Sequence, residues 1–467
     1  MTIPDIAVWI ATIIIFSGLL QSFVYFMQIF GAAYVLMTIP PVGRSNLLWR
    51  RYSEVFPPIS IIVPAYNESA GIVETVRSLV ALQYPTFEII VVNDGSRDAT
   101  LDKLVDAFEM ELLDRPYESA IVHEEVRGIY GSKISPKLTV VDKVNGGKAD
   151  ALNAGINVCR TPVLCAVDGD SILEPDALMR VAHPFIEDPV RTVAVGGTVR
   201  IANGSRIRDG RVIGVRLPRS ILALFQVVEY LRAFLMARLA WSGINALMLI
   251  SGAFGVFRRK ELVAVGGFAV GSVGEDLDMI VKLHKYMIEQ GREYKIAFVP
   301  EPVCWTEVPE DLNVLSRQRT RWQRGALEVF FRYRSMLFNP RYGRIGFLGF
   351  GNILIVDVMG PVLEVLGYVL MPLLWGLGLL DIDYLVAFTA LVFVFGVFVS
   401  VASLVLEELE LRRFKSPRDL IILLCIAIIE NFGYRQLNNF WRVRGWWQYL
   451  RSNQEWGEMH RKGLASH

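Results

Sequence analysis

Cysteine is scarce in this sequence, and its four cysteines show neither a CxxC pair nor metal-ligand spacing: Cys159, Cys165, Cys304 and Cys425. Their scarcity excludes a disulfide scaffold and a cysteine-ligated zinc site. The five histidines are scattered, so they predict neither a metal cluster nor a Ser-His-Asp triad. We expect the four thiols to be small buried hydrophobes in a reducing compartment.

An excess of charge of one sign is also absent. The sequence has 48 basic and 47 acidic residues, which gives a net charge of +1. Without a basic field, nucleic acid is not expected as a partner.

Charge is missing altogether from Ile6 to Val42. This run exceeds the ~20 residues that cross the hydrocarbon core, so we expect one span that continues into the interface. It is too long for a cleaved signal peptide and lacks a basic start. Arg44, Arg50 and Arg51 follow, and by the positive-inside rule they place the next domain in the cytoplasm.

Two runs near the other end are apolar enough to span. Phe347 to Leu380 carries only Asp357 and Glu364 as charges, and Tyr384 to Leu406 carries none. The next apolar stretch, Leu420 to Ile429, has only ten residues, which suits a re-entrant or interfacial segment better than a span. The sequence therefore predicts three spans.

Basic residues on both sides of that short stretch mark the cytoplasmic side: Arg412, Arg413, Lys415 and Arg418 before it, and Arg435, Arg442, Arg444 and Arg451 after it. If the stretch does cross, with Glu430 facing protein, the tail lies outside and the charge rule is broken.

Between the membrane segments, short β-branched runs alternate with amphipathic helical stretches. The runs are Ile59–Val63, Ile89–Val92, Leu138–Val141, Val163–Val167 and Val193–Val199. Continuous apolar strands separated by helices predict a parallel sheet covered on both faces. In such sheets ligands bind at the carboxyl ends of the strands. The segment from Arg219 to Leu249 is helical in period and is either a core helix or an interfacial one, and the attached membrane segments favour the interfacial helix.

The triplet Asp168-Gly169-Asp170 follows the fourth of these runs. A tight turn can aim both carboxylates at one point, and such hard oxygen ligands hold Mg²⁺ or Mn²⁺ together with substrate phosphates. A surface turn is the alternative, because Asp-Gly is common in turns. The position directly after a buried strand favours the metal site.

Asp94 ends another strand, and Lys148 opens a helix after two glycines. Lys148 at a helix start can meet a phosphate, although an ordinary exposed lysine fits the pattern too. For Asp94, helix capping by it or by Ser96 is the alternative.

Glu275 and Asp276 begin a helical stretch, where a carboxylate can serve as a general base or simply favour the helix dipole. In the segment Gln318–Trp322, Trp322 can stack on a sugar or base and Arg321 can hold a phosphate. A basic, aromatic helix at the membrane edge is the alternative for this segment.

Asp94, Asp168-Gly169-Asp170, Glu275-Asp276 and the segment from Gln318 to Trp322 occur in an order that resembles the inverting, processive glycosyltransferases of family two. That family includes synthases of cellulose, hyaluronan, chitin oligomers and poly-N-acetylglucosamine. The likeness covers about residues 57–324. It implies an α/β, GT-A-like (Rossmann-like) domain with a mostly parallel sheet, together with transmembrane and interfacial helices.

The resemblance implies roles for the matching residues. Asp276 would be the catalytic base, and Asp170, with Asp168, would hold Mg²⁺ or Mn²⁺. The residues that would bind substrate are Ala65, Tyr66, Glu68, Asp94, Lys148, Asp168, Glu275, Gln318, Arg321 and Trp322. The implied division is a transmembrane helix (1–43), a nucleotide-sugar part (56–215), an acceptor part with interfacial helices (216–346), C-terminal membrane segments (347–440) and a cytoplasmic tail (441–467).

The implied activity is metal-dependent transfer of glucose or N-acetylglucosamine from a UDP-sugar to a growing β-linked polysaccharide, in the inner cell membrane with a cytoplasmic catalytic domain. Transfer of one sugar to a membrane lipid is the alternative, and a non-catalytic scaffold or transporter is disfavoured by the intact acids. Asn93 departs from the family, where many members have an acid. Three spans are fewer than channel-forming relatives have. Export of the polymer across the lipid bilayer would therefore require partner subunits.

Overall fold

The computed structural model describes residues 2–38, 55–208, 210–411 and 416–451, which form two compact units. The sheet unit comprises residues 55–208, 210–218 and 247–308, and the helical unit comprises residues 2–38, 219–246, 309–411 and 416–451. Outside the described residues lie the cytoplasmic markers Arg44, Arg50, Arg51, Arg412, Arg413 and Lys415, and the tail beyond Arg451.

The sheet unit contains twelve strands: β1 (Ile59–Ala65), β2 (Phe87–Asp94), β3 (Met110–Leu112), β4 (Val126–Ser132), β5 (Leu138–Lys143), β6 (Val163–Val167), β7 (Ile172–Leu173), β8 (Thr192–Ile201), β9 (Arg206–Arg208), β10 (Arg211–Gly214), β11 (Phe254–Arg258) and β12 (Lys295–Thr306). Its helices are α2 (Ile72–Val80), α3 (Thr100–Phe108), α4 (Lys148–Val158), α5 (Ala177–Glu187), α8 (Arg259–Ala264) and α9 (Glu275–Glu289).

Ten of these strands form one sheet in the order β3-β4-β5-β2-β1-β6-β11-β8-β12-β7, while β9 and β10 form a separate hairpin. Neighbours from β5 to β6 are parallel, as are β8 and β12, and β11 runs antiparallel between the two groups. Seven of the ten strands therefore point the same way. The mostly parallel α/β sheet expected from the apolar runs is confirmed.

The core of the sheet unit forms because its central strands are buried on both faces. All residues of β5, β6 and β8 are buried, as are most of β1 and β2. Strands of this kind need helices on both sides, which explains the continuous aliphatic composition of these runs. Cys159, Cys165 and Cys304 are buried as expected, but the expectation is wrong for Cys425, which is exposed.

Helix α4 approaches β1 closely because it has a glycine, Gly155, on the side that faces this strand. A Cβ added there would lie 2.4 Å from Cγ2 of Ile62, a branched side chain fixed in a buried strand. The absence of a side chain therefore sets the distance between α4 and the sheet.

The helical unit contains α1 (Ile3–Thr38), α6 (Ile221–Tyr230), α7 (Leu239–Gly243), α10 (Leu312–Arg332), α11 (Phe350–Asn352), α12 (Gly360–Gly376), α13 (Ile382–Leu411), α14 (Pro417–Ile429) and α15 (Tyr434–Leu450). Three π-helical stretches (Leu231–Arg238, Ile345–Gly349 and Ile353–Met359) continue the neighbouring helices. Of the segment considered either core or interfacial, 219–249, residues 219–246 group with this unit and residues 247–249 with the sheet unit. Helix α7 in this segment packs on α1, where Ala240 lies against Gly31.

Among the described residues, three helices are long and apolar enough to cross a membrane: Ile3–Thr38, Ile345–Gly376 and Ile382–Glu408. A fourth span results if α14 and α15, which are bent by 55° at their junction, count as one. The three long helices coincide with the three runs that the sequence marks as spans. Cys425 is exposed because α14 buries only one face, formed by Leu423, Ile426 and Ala427.

Replacing Gly155 with alanine should destabilise the sheet unit by about 1–3 kcal/mol, because the added methyl overpacks against Ile62. Helix propensity alone predicts the opposite sign, a gain of about 1 kcal/mol. Denaturant unfolding of the full chain in detergent measures the difference. Gly71→Ala is the matched control, since a Cβ there meets no atom within 4 Å. An unchanged or raised stability of Gly155→Ala contradicts the close approach.

Candidate active site

The carboxyl ends of four parallel strands meet at one edge of the sheet. Strand β1 ends at Ala65, β2 at Asp94, β5 at Lys143 and β6 at Val167, immediately before Asp168. The register pairs Asp94 with Lys143 across neighbouring strands. The predicted candidates on these strands are therefore brought together by parallel pairing alone.

Lys143 is the centre of a buried ion cluster at this edge. Its Nζ lies 2.6 Å from Oδ1 of Asp94 and 2.6 Å from Oδ1 of Asp150, and none of its side chain is exposed. The Asp94 carboxylate accepts three further hydrogen bonds from the following loop: from Asn145 Nδ2 at 3.0 Å, Gly146 N at 3.0 Å and Gly147 N at 2.8 Å. Asp94 therefore fixes the loop that leads into α4.

That loop delivers Lys148 to a second cluster. Gly147 has a φ of 89°, which only glycine adopts easily, and the chain turns there to start α4 with Lys148. Lys148 Nζ lies 2.5 Å from Oδ1 of Asp168, 3.7 Å from Oε1 of Glu275 and 3.3 Å from the carbonyl oxygen of Gly252. One ammonium group thus connects three segments that are distant in sequence.

The charges of this cluster shift the ionisation of its members. Burial alone would lower the pKa of Lys148, but attraction to Asp168 and Glu275 outweighs burial and raises that pKa above its ordinary value. Burial raises the pKa of the Glu275 carboxyl, and Lys148 opposes that rise. Lys148 is therefore held as a cation that faces acidic side chains.

Asp276 is held at the start of α9. Its Oδ2 accepts a hydrogen bond from Gly252 N at 3.3 Å, and its Oδ1 accepts one from Leu277 N at 2.9 Å. Since the carbonyl of Gly252 also accepts from Lys148, this one residue links the Asp276 carboxylate to the lysine cluster.

The Asp168-Gly169-Asp170 triplet forms a tight turn after β6. Ser171 N donates to the carbonyl oxygen of Asp168 at 3.0 Å, and Thr75 Oγ1 donates to that of Gly169 at 2.9 Å. A Cβ on Gly169 would lie 3.2 Å from the carbonyl oxygen of Pro64, so the turn packs directly against the end of β1.

This turn fits part of a divalent-metal site. Among the described residues, no group of three or more His, Cys, Asp or Glu side chains gathers to hold a metal. Two carboxylates are nevertheless enough for Mg²⁺ or Mn²⁺ when substrate phosphates complete the coordination. Since Asp168 already contacts Lys148, a metal ion at this turn would share the Asp168 carboxylate with the ammonium group.

The loop after β1 is tied to the loop after β2. Asn67 N donates to Ser96 Oγ at 3.0 Å, and Glu68 N donates to Thr100 Oγ1 at 2.9 Å. Ala65 is buried at the end of β1, whereas the ring of Tyr66 is 44% exposed beside it. These contacts place Tyr66 and Glu68 at the same sheet edge as the acids.

Gln318, Arg321 and Trp322 lie in the helical unit, on α10. Trp322 is 45% exposed, and the guanidinium of Arg319 lies 4.3 Å from the centre of its ring. Arg319 is itself held by Glu229 at 2.6 Å, which also accepts from the Tyr434 hydroxyl at 3.0 Å. A buried ion pair therefore supports the exposed tryptophan.

Sequence reasoning missed several residues that organise these sites: Lys143, Asp150, Gly252, Arg319, Glu229 and Tyr434. Lys143 had a readable signal, since a lysine that ends an apolar strand must find carboxylates if it is buried. Gly252 and the Glu229–Arg319 pair had none, because the partners are separated by 24 and 90 residues.

A protein-family model matches more than half of this chain. Residues 57–325 match the model described as "Glycosyltransferase like family 2". A mannosyltransferase from Pyrobaculum calidifontis, solved with GDP-Man and Mn²⁺, superposes with a TM-score of 0.55 at 17% identity, covering 97% of this chain and 100% of that chain. The fold is GT-A-like, and the chain belongs to glycosyltransferase-like family 2. Its apolar helices mark it as a membrane protein.

Curated relatives share the same region. A poly-β-1,6-N-acetyl-D-glucosamine synthase from Staphylococcus epidermidis is 31% identical over 300 residues, which is 64% of this chain and 61% of the relative. The synthase of that name from Staphylococcus aureus is 32% identical over 275 residues, or 59% of this chain and 56% of the relative. The chain thus spans about three fifths of the length of these relatives.

Replacing Lys143 with methionine should lower the free energy of unfolding by about 3–5 kcal/mol, because two buried carboxylates lose the lysine that they share. Denaturant unfolding in detergent measures the loss. Lys133→Met is the matched control, since Lys133 is exposed and pairs with Glu111 at the surface, and we expect no measurable change. Adding Asp150→Asn to Lys143→Met should recover part of the stability. A wild-type midpoint for Lys143→Met contradicts the buried pairing.

Proposed function

We propose that this protein transfers N-acetylglucosamine from UDP-N-acetylglucosamine to a growing β-linked polysaccharide, with inversion at the anomeric carbon. The observation that carries the proposal is the cluster of Lys148, Asp168, Glu275 and Asp276 at one sheet edge. The identity to poly-β-1,6-N-acetyl-D-glucosamine synthases favours N-acetylglucosamine over glucose as the donor sugar.

Asp276 is the catalytic base of this reaction. Two backbone N–H groups orient its carboxylate, so it can take the proton from an acceptor hydroxyl that attacks the anomeric carbon in line. Attack from the face opposite the departing diphosphate inverts the configuration. Glu275, whose pKa is raised by burial, stays beside Lys148 and keeps the lysine close to the reacting groups.

Lys148 stabilises the leaving group. As a cation between Asp168 and Glu275, it lies where the charge of a UDP leaving group would develop. Asp170 and Asp168 would hold Mg²⁺ or Mn²⁺ together with the donor diphosphate, and such an ion would supply Lewis-acid neutralisation of that charge. Asp94 acts by holding the loop that carries Lys148, while Tyr66 and Glu68 border the uracil and ribose.

Trp322, Arg321 and Gln318 serve the acceptor in this proposal. The exposed indole of Trp322 on a helix suits stacking against a sugar ring. The guanidinium of Arg319 packs on one face of this indole and holds its orientation. In this proposal the protein lies in the inner cell membrane and its sheet unit faces the cytoplasm, the compartment that contains UDP-sugars. Export of the polymer involves partner subunits.

Product sizing tests the proposal. Full-length protein in membranes, given radiolabelled UDP-N-acetylglucosamine, should yield a ladder of polymer lengths, and UDP-glucose should be a poor donor. Asp276→Asn should lower the transfer rate by about 10²- to 10⁴-fold, because the base is lost, while UDP binding is retained.

Glu289→Gln is the matched control, because Glu289 is an exposed acid at the far end of the same helix. A single labelled glycolipid in place of a ladder would establish the lipid-acceptor alternative. Full transfer by Asp276→Asn would remove Asp276 from the mechanism. No transfer from any nucleotide sugar would overturn the proposed function as a whole.

A further inference from the structure

The segment 206–219, which contains the β9–β10 hairpin and the residues that lead from it to α6, concentrates positive charge in a chain that is otherwise nearly balanced. Residues 206–219 contain five arginines and one aspartate, a net charge of +4, whereas the whole chain carries +1. The arginines are Arg206, Arg208, Arg211, Arg216 and Arg219, and all five are exposed.

The two faces of the hairpin differ sharply. Ile207 and Val212 are cross-strand partners, and both pack on the buried cluster of Ile172, Ala202 and Trp305. The opposite face therefore points to solvent. It brings Arg208 directly across from Arg211, a like-charge pairing that destabilises a two-stranded sheet.

Aliphatic side chains interrupt the arginines on the outer face. The strand register shifts between Val212 and Gly214, and Ile213 at this irregularity is 62% exposed. Val215, two residues on, is 50% exposed. Branched aliphatic tips among guanidinium groups form a surface that suits the boundary between lipid headgroups and acyl chains.

The hairpin is firmly anchored to the sheet unit. A Cβ on Gly204, which has a φ of 81°, would lie 2.7 Å from the carbonyl oxygen of Leu217, so the two ends of the segment meet closely. Arg211 donates to the carbonyl oxygen of Ala81 at 3.3 Å. Within the described part of the chain, Arg206, Arg211 and Arg216 make no ion pair with a carboxylate.

We propose that the outer face of the β9–β10 hairpin docks onto anionic phospholipid headgroups. The positive charge of the arginines is complementary to the negative charge of these headgroups. A bilayer is part of this protein's surroundings because the helical unit contains helices long and apolar enough to cross one. The hairpin is close in sequence to that unit, since the chain enters it at Arg219. Each arginine near an anionic leaflet adds about a fivefold preference for the docked state. Nucleic acid is a poorer fit, because the outer face carries no aromatic side chain for stacking.

A fluorescent probe on the hairpin tests this docking. Cys159, Cys165 and Cys304 are buried, so Ile213→Cys in a Cys425→Ser background gives one reactive thiol. The labelled full chain is placed in nanodiscs of phosphatidylcholine, with or without phosphatidylglycerol, that contain headgroup-quencher lipids. We expect stronger quenching with phosphatidylglycerol, and we expect 1 M salt to abolish the difference as the Debye length falls to about 3 Å.

The charge dependence is tested by Arg206→Gln, Arg211→Gln and Arg216→Gln combined, which should lower the ratio of docked to undocked hairpin about a hundredfold. Arg127→Gln, Arg160→Gln and Arg191→Gln remove three exposed arginines elsewhere in the sheet unit and should leave quenching unchanged. If the first variant does not fold, the charge dependence is tested by the effect of salt on quenching in the labelled protein that retains all its arginines.

Three results would overturn the docking. The first is equal quenching in the two kinds of nanodisc, and the second is undiminished quenching in a folded triple variant. The third is a change in probe fluorescence on adding inorganic polyphosphate in detergent, together with no change in quenching on adding phosphatidylglycerol to the nanodiscs. That result would show that the hairpin binds a soluble polyanion. Because none of these readouts involves sugar transfer, they stand or fall independently of the proposed function.

Discussion

The candidate active site depends on the pairing of buried acids with two lysines, Lys143 and Lys148, that lie five residues apart. Carboxylates removed from water are costly unless a cation compensates them. At this sheet edge the buried Asp94 and Asp150 share Lys143, and the partly exposed Asp168 pairs with Lys148. Lys143 fixes the loop, and the loop delivers Lys148. The two lysines therefore offset the negative charge that these acids bring to one edge of the sheet.

This pairing leaves the proposed metal site half formed. Lys148 neutralises Asp168, and Asp170 follows a turn held by Thr75 and by the close packing of Gly169. Two carboxylates beside one ammonium group bind a free divalent ion weakly, because they supply few ligands and a positive charge lies next to them. They can bind the ion more strongly when a diphosphate supplies further oxygen ligands. In the proposed reaction, Lys148 is thus available to the leaving group.

The sequence allowed much of this sheet edge to be predicted, because strand ends and parallel pairing are local properties. The apolar runs marked β1, β2, β5, β6 and β8, and the acids after them are neighbours for that reason alone. What could not be predicted depends on contacts between residues that are distant in sequence. Examples are the hydrogen bond from Gly252 N to Asp276 and the ion pair between Glu229 and Arg319. The return of residues 247–308 to the sheet unit is likewise a tertiary choice that no local period encodes.

Calorimetric titration of Mn²⁺ into the full chain in detergent, with and without UDP, is the most direct test of a metal site completed by the diphosphate. We expect UDP to tighten Mn²⁺ binding by about 5- to 150-fold, and Mn²⁺ to tighten UDP binding equally. Asp170→Asn should abolish this coupling, whereas Asp102→Asn, an exposed acid on α3, should preserve it. Equal Mn²⁺ affinity with and without UDP would contradict the shared site at Asp168-Gly169-Asp170.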